Sequence, residues 1–494
     1  MKMGKVYLIG AGPGDYKLMT LKGLEHIRDA EVLVYDRLVS PRHLKEVPVD
    51  CELVYVGKAS SNHTLPQEEI NEILVKWAKM GKKVVRLKGG DPYVFGRGGE
   101  EGEFLVSHGI EVEVIPGITS AIGGLTFAGI PITHRRYASS FHVISAHLKN
   151  GLRELDWHSL AKLNGTLVFL MGARSLNEIS SGLIKAKKPK ATPVALIYSA
   201  TMPRQHVDIT TLAEMVRMEV KSPVLIVIGD VVNLRDKLSF FENKPLFGKN
   251  IVVTRARAQS TPLVDRLADL GANVIEVPTI KVVPLPDQQI LKAELMQLAN
   301  YQYLIFTSVN TVKIFFKVLA ELGKDSRSLA PVKIVVIGKQ TGKCLEEYGI
   351  KADFMPKLAT LEGMVETLKS VLKSTDRILL PKAKMARTVL TDMLAGLFTE
   401  INLYETRIDT SSKNEILESL NNETIDYITF SSSSTVHNFV RLIGDEHFDK
   451  LHQAKLISLG PITSQAIKEV GLGVYKETKE PFIDAMVELL KESK

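Results

Sequence analysis

Arg86-Leu-Lys-Gly-Gly-Asp-Pro-Tyr-Val-Phe-Gly-Arg-Gly-Gly-Glu-Glu101 is the stretch on which the rest of the chain is read. It follows Val84-Val85, part of an apolar run that reads as a short buried strand, and a helical pattern resumes at Glu100. Glycines at 89, 90, 96, 98 and 99 crowd into eleven residues between them. Glycine at that density costs backbone entropy and marks a chain that turns tightly or lies against a ligand. Asp91 and Arg97 give the loop one acid and one base. A surface turn and a ligand loop both fit this stretch taken alone.

Upstream, Lys5–Ile9 is a β-branched apolar run that ends in Gly10-Ala-Gly-Pro-Gly-Asp15, and Leu18, Leu21, Leu24 and Ile27 then share a helical face. Strand, glycine loop and helix form the grammar of a nucleotide-binding βα unit. The spacing is G-x-G-x-G-D, however, so the third glycine of G-x-G-x-x-G is missing and Asp15 stands in its place. A carboxylate there repels a pyrophosphate, so the loop argues against a dinucleotide and for a ligand that is neutral or cationic at that end. Glu31–Asp36, Leu53–Gly57, Val84–Leu87 and Val112–Ile115 read as further strands, separated by helical segments that include Gln67–Met80 and Glu100–His108. The alternation predicts a mostly parallel sheet with its loops gathered at the strands' carboxyl ends. Asp36, Lys58, Asp91 and Thr119 then converge on one rim. Taken alone, each reads more readily as a solvated loop residue; their convergence is what favours a site.

Past Gly129-Ile-Pro-Ile-Thr-His-Arg135 the texture changes to Phe141–Ser145, Thr166–Met171, Val194–Tyr198, His206–Ile209 and Val224–Ile228, with fewer long helices between. Tyr137–Val232 is therefore expected to be a second lobe with a mixed sheet. His134, His142 and His147 lack the i, i+4 spacing of a helical zinc pair and have no carboxylate set among them, so no metal site is expected.

Size and composition bound the whole. At 494 residues the chain suggests about three domain-sized units. No apolar stretch reaches the roughly 18–20 residues that span a bilayer, and the N-terminus lacks a signal-peptide pattern. Cys51 and Cys344 are the only cysteines, far apart and outside any CxxC, which excludes a disulfide scaffold and suits a reducing cytosol. A cytoplasmic location is the expectation, with no membrane partner. The net charge of +7 comes without an arginine-rich tail or aromatic-basic platform, so an acidic small molecule is a better partner than nucleic acid.

Val6-Tyr-Leu-Ile-Gly-Ala-Gly-Pro-Gly-Asp15, Val34-Tyr-Asp-Arg-Leu-Val39, Val56-Gly-Lys58, the Lys88–Glu101 loop, Pro116-Gly-Ile-Thr119, Gly129-Ile-Pro-Ile-Thr-His-Arg135 and Leu170-Met-Gly172 resemble, in order over about Gly4–Leu238, the uroporphyrinogen-III C-methyltransferases of the tetrapyrrole methylase family. The resemblance implies S-adenosylmethionine bound between two α/β lobes and two methylations of uroporphyrinogen III to precorrin-2, on the siroheme or cobalamin branch. It also implies Asp36 as proton acceptor and Lys58 as donor. Pro13, Gly89, Gly90, Asp91, Val94, Thr119, Ser120, Met171 and Ala200 are then expected along the cofactor, although Tyr198-Ser-Ala-Thr201 departs from the asparagine-glycine often found there. Arg37, Arg97, His134 and Arg135 are candidates for the substrate's carboxylates by charge and position. As in that family, a homodimer through this half is expected. Dehydrogenation and iron insertion are not.

Residues 239–248 lie in a stretch without strong periodicity and read as a linker between a first domain, 1–238 (lobes of about 1–136 and 137–238), and a second, 249–494. The second half repeats itself. Phe306-Thr-Ser-Val-Asn-Thr-Val parallels Phe430-Ser-Ser-Ser-Ser-Thr-Val, and Lys333-Ile-Val-Val-Ile-Gly-Lys-Gln-Thr341 parallels Lys455-Leu-Ile-Ser-Leu-Gly-Pro-Ile-Thr463. Each copy ends a strand in hydroxyls or glycine and starts a helix, so Ser308, Thr341, Ser432 and Thr463 read as N-caps or as the rim of a carboxylate-binding cleft. With Val253-Thr-Arg-Ala256 and Leu403-Tyr-Glu-Thr-Arg407, these motifs resemble uroporphyrinogen-III synthase. That fold implies two α/β lobes, about 249–281 with 407–494 and about 282–406, joined by a two-stranded β-ladder at Val277–Leu285 and Leu403–Asp409. The reaction implied closes hydroxymethylbilane to uroporphyrinogen III with its last pyrrole inverted. Tyr404 matches the tyrosine that assists departure of the hydroxyl, or is a half-buried connector tyrosine; Arg255, Lys382 and Lys384 meet carboxylates or solubilise their loops. A bifunctional enzyme is the expectation, and a methylase carrying a non-catalytic tetrapyrrole-binding half is the alternative.

Overall fold

A computed structural model describes residues 3–57, 65–147, 155–255, 257–480 and 482–493. It is an α/β protein with four five-stranded sheets. The first holds β1 (Lys5–Gly10), β2 (Val32–Tyr35), β3 (Glu52–Tyr55), β4 (Val84–Lys88) and β5 (Glu111–Ile115) in the order β3-β2-β4-β1-β5, every pairing parallel. The second holds β6 (Phe141–Ser145), β7 (Thr166–Leu170), β8 (Pro193–Tyr198), β9 (His206–Thr211) and β10 (Val224–Ile228) in the order β6-β7-β10-β8-β9. Only β6 and β7 run parallel there, which makes it the mixed sheet the sequence predicts.

The third sheet, β12-β11-β18-β19-β20, uses β11 (Asn250–Val253), β12 (Asn273–Glu276), β18 (Tyr427–Phe430), β19 (Lys455–Ser458) and β20 (Val474–Glu477). The fourth, β13-β17-β16-β14-β15, uses β13 (Ile280–Pro284), β14 (Tyr303–Phe306), β15 (Lys333–Val336), β16 (Arg377–Ala383) and β17 (Leu397–Ile408). The expected two-stranded ladder exists as the antiparallel pair of β13 with β17, but β17 also runs on parallel beside β16. Contacts group the chain into two compact units, Met1–Ile251 with Asp265–Val274 and Val487–Lys494, and Val252–Val264 with Ile275–Met486.

Seven helices matter below: α1 (Gln67–Lys79), α2 (Gly98–Ser107), α3 (Ser120–Phe127), α4 (Val309–Glu321), α5 (Lys339–Glu346), α6 (Ser433–Ile443) and α7 (Pro461–Glu469). In α1, Ile70, Leu74, Val75 and Ala78 form the buried stripe, with Glu68 and Glu69 in the first turn and Lys76 and Lys79 in the last. That charge order complements the helix dipole at both ends. The central strand β4 is buried along all five residues, as a strand covered on both faces must be. Two of those five residues are Arg86 and Lys88.

Candidate functional site

Parallel strands carry their following loops to one edge, and backbone hydrogen bonds knit those loops together here. Gly12 and Gly90 exchange hydrogen bonds, Gly90 N donating to Gly12 O at 2.7 Å and Gly12 N to Gly90 O at 3.2 Å. A Cβ on Gly117 would lie 2.2 Å from Gly90 O and 2.7 Å from Gly10 Cα, so three loops meet backbone to backbone. Asp91 ties them: Oδ2 accepts from Gly117 N at 3.0 Å and Oδ1 from Tyr93 N at 2.8 Å. Thr119 caps α3, its hydroxyl accepting from Ala121 N at 3.3 Å, and Ser120 opens that helix.

Asp36 follows β2 on the same edge, half-buried, and Arg86 Nη2 reaches its Oδ2 at 3.3 Å. Arg86 is 3% exposed and also donates through Nη1 to Leu87 O at 3.0 Å. Its Nε lies 3.5 Å from Glu101, which is wholly buried in α2 and takes Lys88 Nζ at 2.6 Å. Gln67 of α1 donates to the same Glu101 oxygen at 3.0 Å; among the described residues the other oxygen meets no donor. Burial first, then the neighbouring Arg86 charge, pushes the Lys88 ammonium below its ordinary value. Two cations and two acids thus share a nearly dry pocket beneath the rim. Arg86, Lys88 and Glu101 were not among the sequence candidates, although two cations two residues apart in an otherwise apolar strand were the available signal.

The second sheet brings its own edge to this one. Asp15 N donates to Thr201 Oγ1 at 3.0 Å, and a Cβ on Gly124 would meet Ala200 Cβ at 3.0 Å. Pro13 lies against Gly123 of α3. Three non-glycine residues at the ends of β7 and β8 have left-handed backbones: Met171 (φ 59°), Ser199 (φ 45°) and Thr201 (φ 68°). A β-branched residue there is strained unless its surroundings hold it. Thr201 is so held: its N donates to Gln205 Oε1 at 2.9 Å, and Gln205 Nε2 donates to Phe127 O at 3.1 Å and Glu242 Oε1 at 2.9 Å. Arg235 in turn pairs with Glu242. Pro13, Gly89, Gly90, Asp91, Thr119, Ser120 and Ala200 are therefore on the loops that meet. Val94 is half-buried in the 88–98 loop, and Met171 is 52% exposed at the end of β7.

The other candidates scatter. Lys58 lies outside the described residues. Arg37 and Arg135 are exposed, the His134 ring lies tilted by 39° beside Tyr137 at 4.9 Å, and Arg97 turns to Glu100 at 2.5 Å. Among the described residues no three of His, Cys, Asp and Glu cluster as metal ligands. The donor set suits S-adenosylmethionine: Asp15, Asp36 and Asp91 favour a cation, and Gly90 (φ 70°) presents backbone with only Thr119 Cα, 3.8 Å from an ideal Cβ.

In the second half, β14 pairs parallel with β15 and β18 with β19, so the helices that follow them start side by side. Ser308 and Ser432 both cap in extended conformation with a capping box to Thr311 and Thr435. Thr341 and Thr463 are buried, 3% and 4% exposed, in the first turns of α5 and α7. An open cavity of about 480 Å³ lies between α6 and α7, lined by Ser433, His437, Ile462, Gln465 and Glu469. Burial pushes the Arg255 guanidinium down. Lys382 is committed to Glu400 at 2.5 Å, while Lys384 is exposed. Tyr404 is 7% exposed and its hydroxyl lies 3.1 Å from Ser308 Oγ.

Residues 5–216 match the tetrapyrrole (corrin/porphyrin) methylases, and residues 261–488 match uroporphyrinogen-III synthase HemD. A porphyrin biosynthesis protein HemD from Ruminiclostridium josui is 39% identical over 100% of this chain and 98% of its own. The uroporphyrinogen-III C-methyltransferase of Bacillus subtilis is 42% identical over 71% of this chain and 72% of its own. Among solved structures, the uroporphyrin-III C-methyl transferase of Thermus thermophilus complexed with S-adenyl homocysteine is 40% identical, covers 47% of this chain and 94% of its own, and has a TM-score of 0.41.

Proposed function

Because this chain belongs to the tetrapyrrole methylase family in its first half and to the uroporphyrinogen-III synthase family in its second, we propose that it makes uroporphyrinogen III and then methylates it. The second half closes hydroxymethylbilane with inversion of its last pyrrole; the first methylates the product twice to precorrin-2. What carries this reading is that one chain aligns end to end with a porphyrin biosynthesis relative and matches the methylase family in one half and the synthase family in the other.

S-adenosylmethionine, held by the 10–15, 88–94 and 116–120 loops with Met171 and Ala200, supplies an electrophilic methyl group. The chain's own work is orientation and proton handling. Asp36 accepts the proton that the ring gives up after alkylation, and Arg86 fixes that carboxylate from below. A buried carboxylate–guanidinium pair holds its geometry better than an exposed one, at a desolvation cost that Glu101 and Lys88 share. In the second half, Tyr404 protonates the departing hydroxyl as the carbon–oxygen bond breaks, and the electron pair leaves on that oxygen. The helix starts at Ser308 and Ser432 offer amide donors to the substrate's carboxylates. The methylase half is proposed to dimerise, which sedimentation of the intact protein checks.

The test is a coupled assay with freshly made hydroxymethylbilane, with and without S-adenosylmethionine, followed by oxidation and isomer analysis. Type III porphyrin without the cofactor, shifting to dimethylated product with it, is expected. Type I isomer alone overturns the synthase reading. If supplied uroporphyrinogen III is still methylated in that case, the second half is a binding module.

A further inference from the structure

Tyr404 sits where β17 changes partners. Pro381 pairs with Ile401 and Lys382 with Asn402, but Ala383 pairs with Tyr404, so Leu403 is the extra residue of a bulge. From Tyr404 onward β17 pairs antiparallel with β13, starting at Pro284. A bulge turns the following side chain away from the simple alternation of the strand. Here the ring enters the core that includes Phe306, Val312 and Leu403, and its hydroxyl arrives 3.1 Å from Ser308 Oγ.

Ser308 is already a cap. Thr311 N donates to its Oγ at 3.1 Å, and Ser308 N donates to Thr311 Oγ1 at 3.2 Å. A serine hydroxyl has two lone pairs and one hydrogen. With one lone pair given to Thr311, Ser308 can accept the phenol's hydrogen or, by rotating, give its own to the phenolic oxygen. The internal repeat separates this contact from capping. Ser432 has the same extended backbone (φ −163°, ψ 161°) and capping box, but its hydroxyl meets Ser434 Oγ at 3.0 Å. Capping is common to both copies; the tyrosine contact belongs to the first.

We infer that Ser308 is a positioning residue for Tyr404: its hydroxyl holds the phenol at the start of α4 and reverses its hydrogen bond when the phenol gives up its proton. The inference rests on the synthase reading above. It assigns to Ser308 a task in ring closure that acts through the tyrosine and is separate from binding carboxylates.

The test uses the intact protein and initial rates of type III ring closure for wild type, Tyr404→Phe, Ser308→Ala, Ser308→Gly, Ser308→Thr and the double variant Ser308→Ala/Tyr404→Phe. Glycine keeps most of the N-cap's stability without a hydroxyl, and threonine keeps the hydroxyl. Ser308→Ala and Ser308→Gly are expected to lower kcat alike, by about three- to tenfold, with KM little changed, and Ser308→Thr to restore it. In the Tyr404→Phe background the serine change is expected to have no further effect. Equal losses in both backgrounds, or recovery with glycine, overturn the inference while leaving the synthase intact. Wild-type protein that gives only the type I isomer overturns the synthase reading itself, and the role with it.

Discussion

Arg86 reaches Asp36 at 3.3 Å and Glu101 at 3.5 Å from one buried side chain, so the proposed proton acceptor is coupled to a charge pair it does not touch. Asp36→Asn is expected to lower methylation by about 100-fold or more, the usual range for a lost general base. S-adenosylhomocysteine affinity measured by calorimetry should stay within about twofold, because the change falls on kcat. His43 is a different case. It is 1% exposed, beside the Tyr16 ring at 5.1 Å, and burial pushes its imidazole down to about 4. The folded state therefore refuses a proton that the unfolded chain takes near pH 6.5. Stability is whole above that value and falls as the pH drops from 6.5 toward 4, by about 3 kcal/mol in all. His43→Gln should flatten the difference in urea midpoint between pH 7 and pH 5. The sequence pointed to Asp36 because it ends a strand, whereas His43 and Glu101 gave no sign. Burial of a single polar side chain depends on what packs over it from distant parts of the chain, and no local pattern records that.

At the scale of elements, the 86–101 stretch divides its glycines between tasks that look alike in sequence. A Cβ on Gly96 or Gly98 would come within 2.7 or 2.5 Å of Pro92 O, and one on Gly89 within 2.7 Å of Leu38 Cβ, whereas Gly99 has nothing within 4 Å. Gly96 and Gly98 thus serve the loop's own packing and Gly89 a contact with the chain after β2, whereas Gly90 meets only Thr119 Cα, at 3.8 Å. Gly117→Ala, against Gly90 O, should destabilise by about 2–3 kcal/mol or more through forced displacement. Gly99→Ala, in the first turn of α2, should be neutral or stabilise by about 0.5–1 kcal/mol. Urea unfolding of the two variants side by side checks the contrast. The strands of the first half were legible: Phe141–Ser145 and Val224–Ile228 fall where the sequence put them, because apolar runs of that length between turn residues have few other uses. The single strand β17 was not, since its two kinds of pairing depend on register with β16 and β13.

For the whole molecule, two chemistries on one chain imply two separable responses. Saturating S-adenosylhomocysteine, at about 100 times its dissociation constant, should stabilise the unit that binds it by about 2.7 kcal/mol. Ring closure of hydroxymethylbilane measured in the same samples should keep its rate. A rate that follows the ligand instead would show that the two activities communicate.

The bond from Asp15 N to Thr201 Oγ1 joins two loops that belong to different sheets, and it is made by the protein alone. The mouth of the methylase cleft therefore has its width set before any guest arrives. A guest entering a mouth of fixed width meets no slow gate, because nothing has to swing shut behind it. Stopped-flow association of S-adenosylhomocysteine should accordingly be a single phase whose rate climbs in proportion to concentration without levelling off. Thr201→Ala, which frees the two loops, should bring in a plateau.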